Sequence, residues 1–118
     1  MSMICRKTAE HYHWGDGCDG WHLVKSPNLS VIQERLPAGK AEVRHYHQKA
    51  EQFFFVLEGE ATLEVNGEAI TLTPQQGVHV PAGVAHQMKN LSQEDVVFLV
   101  TSTPPSHGDR VVADEAAD

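Results

Sequence analysis

A chain of 118 residues with nine basic and sixteen acidic side chains, formal charge −7, has length for one domain with a real core and is too short for two ordinary ones. That acidic balance argues against nucleic-acid binding through phosphate contacts and against docking on an anionic membrane. Eight histidines are a heavy load for this length, and the two cysteines, Cys5 and Cys18, lack a CxxC spacing and read as free thiols of a reducing cytosol.

The first residues, MSMICRKTAEHYHW, carry neither a long apolar core nor a cleavage pattern, so no secretory signal is read there. No run reaches the roughly 20 apolar residues of a membrane span. A soluble cytoplasmic protein is therefore expected, and the acceptor patterns at Asn28-Leu29-Ser30 and Asn90-Leu91-Ser92 are taken as coincidental. Residues 1–27 are expected to form an arm and loop with a first short strand at 21–24. His11 and His13 flank Tyr12; the expectation is a partly ordered surface arm, with a second metal site or a reach to a main one as alternatives. The run Gly15-Asp16-Gly17-Cys18-Asp19-Gly20 is loop punctuation, bracketed by Trp14 and Trp21, which should cover an end of the core.

Residues 28–101 read as a β-barrel. Strands are expected at 29–36, 43–47, 52–57, 62–65, 68–72, around Val78 and Val80, from 86, and at 96–101. Leu63 and Val65 alternate on one strand and Ile70 and Leu72 on the next, with Asn66-Gly67 between them, a strong signal for a type I′ hairpin. Phe54, Val56, Leu63, Met88 and Phe98 should line or fill the interior. Residues 102–118 are expected to be a tail: Thr103-Pro104-Pro105-Ser106-His107-Gly108 cannot be regular, and the acidic end from Ala113 should fray. His107 and Arg110 could fold over a barrel mouth and grip a carboxylate, although an exposed tail loop is the plainer reading. Many short strands without an amphipathic helix imply an all-β barrel or jelly roll.

The chemistry concentrates between Gly39 and Gly59. His45 and His47 are two apart, so on a strand both imidazoles point to one side with Val43, while Glu42, Arg44 and Tyr46 take the other. Glu51 and Gln52 then open a second strand. Two histidines on one strand face with an oxygen donor on the next would build most of a metal site; two solvated surface histidines are the alternative. His86 follows the turn Pro81-Ala82-Gly83 and would converge on the pair if the sheet rolls up. His79, between Val78 and Val80, should face outward.

These two stretches together resemble the cupin superfamily. Its first motif is Gly, five residues, His-x-His, three or four residues, Glu, six residues, Gly; here Gly39, His45-Tyr46-His47 and Gly59 stand in register, but the Glu position is Gln52. Its second motif is Gly, five residues, Pro-x-Gly, two residues, His, three residues, Asn. Pro81-Ala82-Gly83, His86 and Asn90 match, and Gln75 replaces the opening Gly. The resemblance, over residues 28–101, implies a single-domain double-stranded β-helix (a jelly-roll barrel). It also implies one divalent transition metal (Fe, Mn, Zn or Ni) held by His45, His47, His86 and, by register, Gln52, with Glu51 as the alternative. Homodimerisation through edge strands is implied as well. It makes a metal-dependent enzyme available, dioxygenase-like or isomerase-like, acting on a small oxygen-rich molecule. A non-catalytic small-ligand binding or sensing module is the alternative, and one fold carries many functions.

Overall fold

At the Asn66-Gly67 turn local chemistry dictates structure directly. In the computed structural model, which describes residues 2–116, both residues carry positive φ, 51° and 92°, as a type I′ hairpin requires. The turn joins β6 (Ala61–Val65) to β7 (Glu68–Leu72) in antiparallel register, Leu63 opposite Ile70.

The remaining strands are β1 (Glu10–Trp14), β2 (Cys18–Lys25), β3 (Ser30–Leu36), β4 (His45–His47), β5 (Glu51–Glu58), β8 (Gly77–Val80), β9 (His86–Lys89), β10 (Val96–Thr103) and β11 (Arg110–Val112). They form two antiparallel sheets, one of order β1-β2-β3-β10-β5-β8 and one of order β11-β4-β9-β6-β7. The all-β jelly roll expected from the strand rhythm is what forms, and among the described residues there is no helix long and apolar enough to cross a membrane.

Period-2 alternation sorts the side chains between core and surface. On β5, Gln52, Phe54 and Val56 are buried, whereas Glu51 and Phe53 are exposed. The inward residues of both sheets meet in one core of Leu36, Phe54, Val56, Leu63, Val80, Met88, Val96 and Phe98. Truncating a fully enclosed ring such as Phe98 should cost about 3–5 kcal/mol. β10 lies between β3 and β5 and reads as a nearly continuous apolar run because both its edges and most of its surface are covered.

Both ends of the chain are more ordered than their composition announces. The N-terminal arm is an ordered hairpin: β1 pairs with β2 from Glu10 opposite His22 to Trp14 opposite Cys18, and the glycine-rich loop shrinks to a turn around Gly15 and Gly17. The ring of Tyr12 lies against the backbone of Gly20, where a Cβ would collide with it. At the other end β10 runs on to Thr103, and β11 adds to the edge of β4, with Arg110 opposite His47. Beyond it Ala113 N donates to Arg44 O at 2.9 Å and Arg44 Nη1 donates to Asp114 O at 2.8 Å, so this segment docks rather than frays. The last two residues of the expected frayed end, at 117–118, lie outside the described residues.

Candidate metal centre

The strand pair β4–β9 sets His45 directly opposite His86, and alternation puts His47 on the same face. All three side chains are buried, with exposures of 5% or less. Ring centroids lie 4.6 Å apart for His45 and His86, 4.9 Å for His45 and His47, and 5.9 Å for His47 and His86. One nitrogen from each ring falls within 4.8 Å of the others.

Each ring is oriented from behind. His45 Nδ1 donates to Val43 O at 2.7 Å, His47 Nδ1 to Asp109 O at 3.0 Å and His86 Nδ1 to Val84 O at 3.0 Å. A carbonyl only accepts, so the proton sits on Nδ1 and the Nε2 lone pair of every ring is turned inward. His47 Nε2 is buried with no hydrogen-bond partner at all. Burial pushes the His45 imidazole down to about 3 and those of His47 and His86 below their ordinary value, which keeps the rings neutral. Three buried, neutral, tautomer-locked imidazoles with inward lone pairs fit a divalent transition metal.

A fourth polar side chain faces the three rings from the other sheet. Gln52 is buried, its Nε2 donates to Ser102 Oγ at 2.9 Å, and its Oε1 is therefore presented to His86 Nε2 at 3.1 Å. Glu51, the alternative to it, is on the outer face of β5, exposed and paired with His79 Nε2 at 2.9 Å. Outward His79 thus has a partner, and the register that selects Gln52 over Glu51 follows strand parity.

His45 and His47 stand on one wall of a cavity of about 920 Å3 between the sheets, while His86 is itself enclosed. Phe54 lines it, but Val56, Met88 and Phe98, expected as pocket-lining, are fully enclosed in the core behind it. The opposite wall carries groups that strand parity alone did not bring in. Tyr12 and Trp14 of β1 and Glu34 of β3 face the cavity from that wall, Glu42 faces it from beside β9, and Tyr12 OH donates to Glu34 Oε1 at 3.4 Å. Alternation alone puts Glu42 on the outer side. Regular pairing begins only at His45, and Glu42 Oε1 instead accepts from Met88 N at 2.9 Å on the cavity wall. Burial pushes the Glu34 carboxyl up to about 8 and Glu42 up to about 7. Burial and the adjacent Glu34 carboxyl also raise the Tyr12 phenol. His107 and Arg110, expected in an exposed tail loop, also line the cavity. Arg110 makes no ion pair with a carboxylate among the described residues. The sequence signal for Glu34 was its parity: on β3 it alternates with Ile32 and Leu36 and so shares their face.

Three histidines on adjacent strands of a double-stranded β-helix, with a glutamine facing them, make a candidate metal site inside a jelly-roll barrel. The chain belongs to the cupin family: the Cupin domain family matches residues 32–102. An uncharacterized protein of Streptomyces coelicolor is 35% identical over 89 residues, 74% of this chain and 83% of that protein. Quercetin 2,3-dioxygenase of Bacillus subtilis is 36% identical over 59 residues, 50% of this chain but only 18% of that enzyme. Among solved structures, KdgF from a Halomonas species superposes with a TM-score of 0.82 over 91% of this chain and 98% of that one, at 19% identity.

Proposed function

We propose that the chain is a metal-dependent enzyme that acts on a small oxygen-rich molecule, with His45, His47, His86 and Gln52 holding one divalent transition metal. The observation that carries this reading is the set of three Nδ1–H groups tied to carbonyls, which leaves converging Nε2 lone pairs, one of them without a partner. Fe, Mn, Zn and Ni all suit this donor set. Once bound, the cation would act as a Lewis acid on a substrate oxygen. Four neutral ligands leave its dipositive charge intact and favour an anionic substrate.

The protein groups around it support isomerase-like proton transfer. Glu34, protonated at neutral pH and hydrogen-bonded to Tyr12, holds a proton at the cavity surface, and Glu42 offers a second carboxyl close to its titration point. Arg110, on β11 beside His47, suits a carboxylate of the substrate. A dioxygenase-like reaction is the second reading, supported by the likeness to the Bacillus enzyme. Two free cysteines support a reducing compartment, hence the cytoplasm. Outward Phe53 and Phe55, stacked 5.9 Å apart on β5, support a homodimer, which light scattering would test.

Metal content of freshly purified protein, measured by mass spectrometry beside His86→Ala and Gln52→Ala, tests the reading. Near-stoichiometric metal lost in His86→Ala upholds it, and isomerisation and oxygen-consumption screens then separate the two reactions. No metal, and no uptake of added Fe, Mn, Ni, Cu or Zn, overturns it in favour of a non-catalytic ligand-binding barrel.

A further inference from the structure

The inner face of β1 lines the cavity with Glu10, Tyr12 and Trp14, so its outer face carries His11 and His13. Pairing with β2 sets His13 opposite Asp19 and His11 opposite Trp21. His11 Nε2 lies 2.7 Å and His13 Nδ1 3.1 Å from the same oxygen, Asp19 Oδ1, and all three atoms are within 4.8 Å of one another. Ligands bonded at zinc-like distances to one tetrahedral ion stand about 3.3 Å apart, so only small rotations separate this cluster from a coordinating one.

The cluster is braced from behind. Arg35 takes the other carboxylate oxygen, Oδ2, at 2.7 Å and so fixes Oδ1 toward the imidazoles. The His11 ring packs on Trp21 with centroids 5.2 Å apart, and the Arg6 guanidinium lies 4.1 Å from the Trp21 ring centre. Asp19 O accepts from Trp14 Nε1 at 3.0 Å, which holds the carboxylate's own backbone to the far end of β1. His13 is largely exposed and leaves the outer side open to water ligands.

We propose that His11 Nε2, His13 Nδ1 and Asp19 Oδ1 form a second, solvent-facing site for a divalent cation of the zinc class. Two imidazoles and one carboxylate match the donor preference of Zn, Ni and Cu(II) over Mg or Ca. β1 is the edge strand of its sheet, hydrogen-bonded on one side only. A cation bridging β1 to β2 clips that edge down and with it the Tyr12 and Trp14 portion of the cavity wall. The site shares no residue with the His45–His47–His86 centre.

Zinc titration of chelator-treated full-length protein by calorimetry tests this, with the wild type, His86→Ala and the double variant His11→Ala/His13→Ala compared. Two equivalents are expected for the wild type and one for each variant. The nitrogen-15 shifts of the His11 and His13 rings should move on zinc addition in His86→Ala, and zinc should raise the melting temperature of that variant. Retention of two equivalents by the double variant, or unmoved His11 and His13 resonances in the wild type and His86→Ala, overturns the second site. One equivalent in the wild type that survives in His86→Ala but not in the double variant upholds it while removing the cavity centre. Reading the ring resonances in the wild type keeps the test valid should His86→Ala fold poorly.

Discussion

Gln52 Oε1 faces His86 Nε2 at 3.1 Å, and with the His86 proton held on Nδ1 by Val84 O the contact sets one lone pair against another. Ser102 Oγ accepts from the amide nitrogen of Gln52 at 2.9 Å. A cation placed between them would turn this repulsion into two bonds. Gln52→Glu should therefore bind divalent metal at least about tenfold more tightly in a chelator-competition assay, because a charged oxygen replaces a neutral one. Without metal the same variant should be less stable by about 1–3 kcal/mol in urea, from a buried carboxylate that its histidine neighbours cannot neutralise. A metal-free Gln52→Glu as stable as the wild type would contradict this.

Asp109 ties the C-terminal segment to the site by both of its ends. Its carboxylate accepts from the backbone N–H groups of Gln48, Lys49 and Ala50 at 2.9–3.0 Å, while its own carbonyl orients His47. Those backbone donors hold its carboxyl below the usual range. A lowered folded value means the group stabilises above the unfolded value of 3.8 and stops doing so as pH falls through the folded one. Asp109→Ala should lower the melting temperature at pH 7, with the gap closing under acid, and should weaken metal binding by loosening the segment whose carbonyl orients His47. Unchanged metal affinity would show that the carbonyl, which the substitution keeps, holds His47 without the carboxylate.

The barrel and the convergence of His45, His47, His86 and Gln52 were legible because they rest on local rules. Strand parity placed Gln52 inward and Glu51 outward, and the Pro81-Ala82-Gly83 turn delivered His86 opposite His45. The far wall of the cavity was not legible, since Glu34 and Tyr12 meet only through pairings across β1, β2 and β3, and Arg110 reaches the cavity only through the pairing of β11 with β4. Composition misled at both ends. Glycine and aspartate around Gly17 mark a two-strand turn rather than a long loop, and the short segment Arg110-Val111-Val112 becomes a strand only because β4 offers an open edge.

Gln75, standing where the family motif has glycine, still adopts the glycine backbone, with φ of 72°. It donates its N–H to Val56 O at 2.9 Å, so the chain cannot relax out of the left-handed region without losing that bond. Left-handed geometry costs a residue with a Cβ about 1–2 kcal/mol, partly offset by the greater unfolded-state freedom of glycine. Gln75→Gly should thus stabilise the fold by roughly 0.5–1 kcal/mol in equilibrium denaturation, with metal binding untouched. A destabilised Gln75→Gly would mean that the side chain makes a contribution larger than its backbone strain.

Glu34 should make the fold less stable as pH rises. Buried against Tyr12, its carboxyl is raised from 4.5 to about 8, and Glu42 to about 7. Across that interval the unfolded chain has released protons that the folded chain keeps, so stability falls with increasing pH and levels off once the folded carboxyls ionise. Below the unfolded value both states are protonated and nothing is lost. Glu34→Gln preserves an acceptor for Tyr12 OH but cannot ionise. Its stability should equal that of the wild type near pH 4 and exceed it at pH 8 by an amount on the order of a few kcal/mol, measured by denaturant titration at each pH. Parallel pH profiles for the two proteins would mean that Glu34 is already ionised in the folded chain, and that another group holds the proton on this wall.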